Sequence, residues 1–164
     1  MIRAAVPDDA APLAALINAA FVVEAFFKIG DRTSAVEVAA LMRDGGEFLL
    51  LEDMEQGRRR LVGCVYLKRT GARAYFGMLS VEPARQGRGF GRQLIDAAET
   101  RAHQMGCRVM DIHIVNLRRE LPGYYRRLGY RESGTLPFSE PDRASRPCSF
   151  VVMSKPLPSS PSRT

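Results

Sequence analysis

The chain has 164 residues, 46% of them hydrophobic, which is enough for one domain with a sizeable core and leaves no room for a second catalytic domain. Its formal net charge of +6 is carried mostly by arginine, which favours bidentate contacts to phosphate, and nucleic acid, an acidic partner and a polyanionic cofactor are all compatible with it. Three widely spaced cysteines (Cys64, Cys107, Cys148) form no CxxC pair and no His/Cys cluster, so they read as small core residues of a reducing, cytoplasmic setting with no metal. No leader-like start and no run of about 18 apolar residues is present, so neither a signal peptide nor a membrane span is expected.

Met1 to Val6 predicts a short strand, and Pro7-Asp8-Asp9 signals a helix start with acidic residues at the positive end of the dipole. Leu13, Leu16, Ile17 and Ala20 then recur at helical spacing up to about Phe21. Phe21 to Arg32 mixes aromatics and charges. It reads either as a helix end with a surface turn or as a wall of a binding pocket. Thr33 or Ser34 can cap a second helix that stops at Gly45-Gly46. Glu47–Asp53 and Leu61–Lys68 predict a hairpin joined by a turn over Met54–Arg60, whose arginine run Arg58 to Arg60 reads as solvated. Arg73–Val81 predicts a third antiparallel strand.

After Val81 comes Glu82-Pro83-Ala84-Arg85-Gln86-Gly87-Arg88-Gly89-Phe90-Gly91-Arg92, and then a helix to Met105 that Gly106 ends. Strand, basic glycine loop and helix start bring backbone N–H groups, a helix dipole and guanidinium groups to one point, which suits a phosphate or pyrophosphate. A P-loop would end in Gly-Lys-Ser/Thr, but Gly91 precedes Arg92-Gln93; a dinucleotide fingerprint would space its glycines as Gly-x-Gly-x-x-Gly, but here they fall at Gly87, Gly89 and Gly91. Cys107 to Val115 predicts a strand parallel to the one before the helix, because a helix joins them. Asn116 ends it, a helix enters through Leu117 to Glu120 with Pro122 in its first turn, and Gly129 stops it. Tyr130 begins a strand, Pro137 to Pro147 is a loop, and Cys148 to Met153 is the last strand. Residues 1–155 are expected as a single domain, with 156–164 as a disordered tail.

Val81, Pro83, Gln86, Gly89 and Gly91, with Leu94 on the following helix, resemble motif A of the GNAT family of acyl-CoA-dependent N-acetyltransferases, a Gln/Arg-x-x-Gly-x-Gly/Ala pattern after a strand ending in Val-x-Pro. Asn116 and the run Tyr125-Arg126-Arg127-Leu128-Gly129-Tyr130 resemble a second patch of that family, and the order of elements agrees over residues 2 to 155. The resemblance implies an α/β (α+β) GNAT fold, a mixed sheet of about seven strands flanked by about four helices, with two parallel strands splayed around acetyl-CoA.

On that resemblance, backbone groups of Leu79, Ser80 and Val81 would pair with the pantetheine arm, and the N–H near Leu79 would stabilise the oxyanion. The N–H groups of Gln86, Gly87, Arg88, Gly89, Phe90, Gly91 and Arg92 would hold the pyrophosphate, with the Arg85, Arg88 and Arg92 side chains meeting the phosphates. An alkylammonium titrates near pH ~10, so a base or water chain must deprotonate the acceptor. Glu24 is the first candidate and His113, which also reads as a core histidine, the second. Tyr125 would protonate the leaving thiolate from near the start of its helix, unless it is a core aromatic and Tyr124 the polar one. Asn116 would orient the pantetheine amide or cap a strand end.

Three readings follow: an acetyl-CoA-dependent N-acetyltransferase acting on a primary amine in a ternary complex, a non-catalytic acyl-CoA sensor, and a basic nucleic-acid-binding module, which the clustering of arginine at a cofactor loop disfavours. Glu24, Asp31, Glu140 and Asp142 hint at an acidic mouth and a cationic acceptor. The last strands leave an edge that a second copy could cover as a homodimer.

Overall fold

In the computed structural model, which describes residues 1–158, alternation along one strand sets the architecture. In β2 (Glu47–Glu55) Phe48 and Leu50 point to one face of the sheet and Leu49 and Leu51 to the other. The first face packs with Cys64 and Tyr66 of β3 (Arg58–Thr70) under α1 (Ala10–Ala20) and α2 (Ala35–Arg43). The second packs with Val65 and Leu67 under α3 (Phe90–Gln104), whose Leu94, Ile95, Ala98 and Ala102 lie along its inner side. Seven strands in the order β1-β2-β3-β4-β5-β7-β6 form one mixed sheet, completed by β1 (Ile2–Ala4), β4 (Arg73–Val81), β5 (Val109–Val115), β6 (Arg131–Pro137) and β7 (Ser149–Pro156). The short α4 (Leu121–Arg127) covers the second face beside β5 and is the fourth helix flanking the sheet.

The expected mixed α/β architecture is therefore present, with adjustments at its joints. The β2–β3 turn shrinks to Gln56-Gly57, both at positive φ (49° and 75°), a two-residue hairpin link. Arg58 to Arg60 consequently belong to β3 and not to the turn. Ser34, not Thr33, caps α2, its hydroxyl accepting from the Glu37 N–H at 3.2 Å. Thr33 is buried and is tied through its backbone to the Asn18 amide. Strand β7 runs through Pro156, and Leu157 is buried with its N–H on the Arg108 carbonyl, so chain expected in the tail is part of the domain edge; 159–164 lie outside the described residues.

Helix α3 sits close on the sheet because β3 carries Gly63 beneath it: a Cβ there would come within 2.9 Å of Leu94 Cδ1. Leu94 is fully buried. Leu94→Ala is expected to cost about 2–5 kcal/mol, read as a lower urea midpoint with an unchanged m-value.

Candidate functional site

Strands β4 and β5 are parallel but pair only at Arg73↔Val109, Ala74↔Met110 and Tyr75↔Asp111. Beyond Tyr75 they separate. The cause lies in β4, where Met78 and Leu79 together oppose the single Val65 of β3, and Met78 takes φ 50°. Such a bulge bends its strand away from a straight ladder. The opened gap is the floor of a cleft of about 620 Å³. Glu82 N–H donates to the Val62 carbonyl, so in the alternation of an antiparallel ladder Ser80 also faces β3, while Leu79 and Val81 turn their backbone groups to the gap. Leu79 and Val81 line the cleft; Ser80 does not, and its buried hydroxyl donates to the Met78 carbonyl. Ser80 thus resumes the β3 ladder after the bulge, opposite Cys64, and is not part of the cleft wall.

At the far end of β4 the chain turns through Pro83–Arg85 into the glycine loop. Gly89 occupies the N-cap of α3 in the left-handed region (φ 82°), and no side chain caps the helix. The N–H groups of Phe90, Gly91 and Arg92 are therefore left without helical partners at the positive end of a 15-residue dipole. A non-glycine residue at Gly89 is strained by about 1–2 kcal/mol, so Gly89→Val is expected to lower the melting temperature and to weaken stabilisation by a pyrophosphate ligand in a thermal-shift titration. Gln86 lines the cleft and its amide reaches toward the Val81 carbonyl at 3.4 Å. The arginines divide. Arg88 is exposed and has no ion-pair partner among the described residues. Arg92, also exposed, pairs with Asp96 at 3.1 Å. Arg85 is mostly buried and committed to Asp53, Glu55 and Glu82, which corrects the expectation that it meets phosphates: it clamps the loop to the β2–β3 hairpin.

The opposite end is walled by the segment following α1. Phe21–Glu24 forms a 3-10 turn, and Lys28 bridges to Ala144, with Ile29 N–H on the Arg143 carbonyl and Ser145 N–H on that of Phe27. The aromatic and charged stretch is thus a cleft wall, joined to the loop before β7 by Phe27–Phe138 and Phe138–Phe150 ring contacts. Glu24 is 8% exposed and accepts from Arg118 Nη1 at 2.9 Å. Burial raises its pKa above the ordinary carboxylate value, against the pull of Arg118, Arg32 and Lys28. Glu140 also lines the cleft, held by Lys28 at 2.7 Å, whereas Asp31 and Asp142 do not line it. The expected acidic mouth is therefore absent: both carboxylates there are matched by cations. His113 is exposed to the cleft between the rings of Tyr75 (4.6 Å) and Phe150 (5.7 Å), which corrects its reading as a core histidine. Partial burial lowers its pKa, with Asp111 opposing, so it is predominantly neutral at pH 7.

Tyr125 is the fifth of the seven residues of α4, not near the helix start, and packs edge-on against Tyr124 and Tyr130 and at a tilt against Phe76. Its hydroxyl bonds to no other side chain, and no buried side-chain oxygen lacks a partner among the described residues, so that oxygen opens to the cleft that both tyrosines line. Burial raises its pKa well above the phenol value. Tyr130 is instead structural: its hydroxyl donates to Glu99, which also holds Lys155. Asn116 lies outside the cleft lining; its side-chain oxygen accepts from Ser149 N–H and its own N–H donates to the Ser149 carbonyl, closing β5 on β7.

The cleft thus joins Glu24, His113, Tyr125, Leu79, Val81 and Gln86, which the chain separates by up to about a hundred positions. Arg118, Tyr75 and Phe150 also line it and were missed, and Arg32 lines it at the end of the stretch read as a possible pocket wall; only the position of Arg118, three residues beyond the end of β5, could have pointed to it. Among the described residues no cluster of His, Cys, Asp and Glu is placed to hold a metal ion.

Residues 44–132 match the family described as the acetyltransferase (GNAT) domain, a range that holds the bulge, the glycine loop, α3, β5 and α4. Among solved structures the chain resembles the ribosomal-protein-S18-alanine N-acetyltransferase of Escherichia coli, with a TM-score of 0.74 at 15% identity over 100% of this chain and 97% of that one. The ribosomal-protein-alanine N-acetyltransferase of Brucella melitensis gives 0.71 at 23% identity, covering 96% and 99%. A phosphinothricin acetyltransferase of Sinorhizobium meliloti, in complex with AcCoA, gives 0.71 at 17% identity, covering 100% and 91%. At these identities the likeness is one of fold. A search of curated proteins found no match.

Proposed function

The chain belongs to the GNAT acetyltransferase family, and on that footing we propose that it transfers the acetyl group of acetyl-CoA to a primary amine by direct attack within a ternary complex. The observation that carries this reading is the gap between β4 and β5, which offers the open backbone of Leu79 and Val81 to an extended amide chain and leads to the uncapped α3 N-terminus. The cofactor supplies an activated thioester. Leu79 and Val81 would align its pantetheine arm, and Gln86 to Arg92, with Arg88 free to turn inward, would hold its pyrophosphate. At the other end Glu24 removes the proton from the acceptor nitrogen, its raised pKa making it a stronger base than an exposed carboxylate. Tyr125, its hydroxyl open to the cleft, donates its proton to the departing sulfur.

The test pairs thermal shift with thiol release. Acetyl-CoA at about 100 times its Kd should stabilise the protein by about 2.7 kcal/mol, and an amine panel should then yield free CoA thiol. Stabilisation without thiol release from any amine would replace the transferase by an acyl-CoA sensor; a response to duplex DNA alone would remove both.

A further inference from the structure

The charged groups lining the acceptor end of the cleft are Glu24, Lys28, Arg32, Arg118 and Glu140. Four of them are matched, Glu24 by Arg118 at 2.9 Å and Glu140 by Lys28 at 2.7 Å. Arg32 is left over. Among the described residues it has no carboxylate partner, and its guanidinium lies over the Phe21 ring, 5.3 Å from the centroid. Resting on the transferase reading, we propose that the acceptor is a small amine that carries its own carboxylate, and that Arg32 receives that carboxylate.

An incoming ammonium finds both lining carboxylates already engaged. A carboxylate finds Arg32, the lining cation left without a carboxylate among the described residues, whose planar donor fork matches it bidentately and which its seat over Phe21 holds in place. The phosphates of the cofactor do not compete for it. Arg32 acts electrostatically on Glu24 and on Tyr75, and Tyr75 lies six residues before Val81, about 20 Å along the strand from the glycine loop. The nearby Phe138 and Phe150 give the same end apolar walls for a side chain.

The experiment compares matched acceptors, leucine against isoamylamine and methionine against 3-methylthiopropylamine, by CoA thiol release. In the wild type the carboxylated member of each pair should have the higher kcat/KM by about tenfold to thirtyfold, the worth of a charge-assisted hydrogen-bonded contact. Arg32→Met should erase that preference through KM while acetyl-CoA still stabilises the protein. A preference for the decarboxylated amine, or a preference unchanged in Arg32→Met, overturns the proposal. Binding gives a second readout that needs no turnover: with CoA-saturated protein, the amino acids should add a further thermal shift that isoamylamine and the Arg32→Met variant lack, and equal or no shift from both classes also overturns it. Thiol release from decarboxylated amines alone leaves the transferase reading standing while this inference falls.

Discussion

Tyr125→Phe is expected to lower kcat by about 10²- to 10³-fold, the scale of a lost general acid, while the acetyl-CoA thermal shift stays within error of wild type. The structure separates these two readouts. The Tyr125 ring packs among Phe76, Tyr124 and Tyr130, and phenylalanine keeps that packing. The hydroxyl bonds to no other side chain, so its removal leaves no orphaned partner and stability should change by less than about 1 kcal/mol. Burial raises the phenol pKa, which makes it a weaker acid but keeps it protonated at every working pH. The same apolar surroundings raise the pKa of a thiolate formed there, so proton transfer stays matched. Stopped-flow or thiol-release kinetics at saturating acetyl-CoA measure the effect. Undiminished kcat in Tyr125→Phe would move the proton donor to Tyr124 or to water. Tyr130→Phe is the contrasting variant: it loses a hydrogen bond to Glu99 and should affect stability without a specific effect on kcat.

The order of elements, the glycine loop before α3 and the parallel pairing of β4 with β5 were legible in the sequence because they rest on local signals, whereas the insertion of β7 between β5 and β6 was not. Val81, Pro83 and the glycines sit within a dozen residues, and a helix between two strands makes them parallel neighbours. The bulge was not legible, because Met78 takes a positive φ that nothing in an apolar run announces and that follows from the mismatch between β3 and β4. The acceptor half depended on pairings across the whole chain. Glu24 meets Arg118 at a separation of 94 positions and Lys28 meets Glu140 at 112, so an acidic mouth inferred from carboxylates alone left out the cations that neutralise them. Arg85 failed largely for the same reason: Glu82 is a local i,i+3 partner, but Asp53 and Glu55 lie on the hairpin and only tertiary packing brings them to it.

Glu24→Gln is expected to lower kcat/KM by about 10²- to 10³-fold at neutral pH and to abolish the acidic limb of the pH–rate profile. The base works only when ionised, and burial raises the Glu24 pKa, so the wild-type rate should fall as pH drops through a value above the ordinary carboxylate range. Its effect on stability has the opposite sign. A carboxyl whose folded pKa is raised contributes stability that is fully present below its unfolded value and is lost as pH rises through the folded one, so a fall in rate on acidification cannot be ascribed to this group unfolding the protein. The amide is close in shape, and Arg118 keeps Glu120 at 2.6 Å, so the guanidinium is not left buried without a charge partner and the variant should fold. Arg118→Met is a harsher test of the same pair: it leaves the Glu24 carboxylate buried without its cation, should raise the pKa further, and should carry the acidic limb upward in pH with it. His113→Gln supplies the comparison. His113, its pKa lowered by partial burial, is predominantly neutral at pH 7 and faces the same cleft, so it is a second side chain placed to take the proton. If His113→Gln removes the limb and collapses kcat/KM while Glu24→Gln leaves both in place, the base is the histidine, and Glu24 serves only to fix Arg118 at the cleft wall.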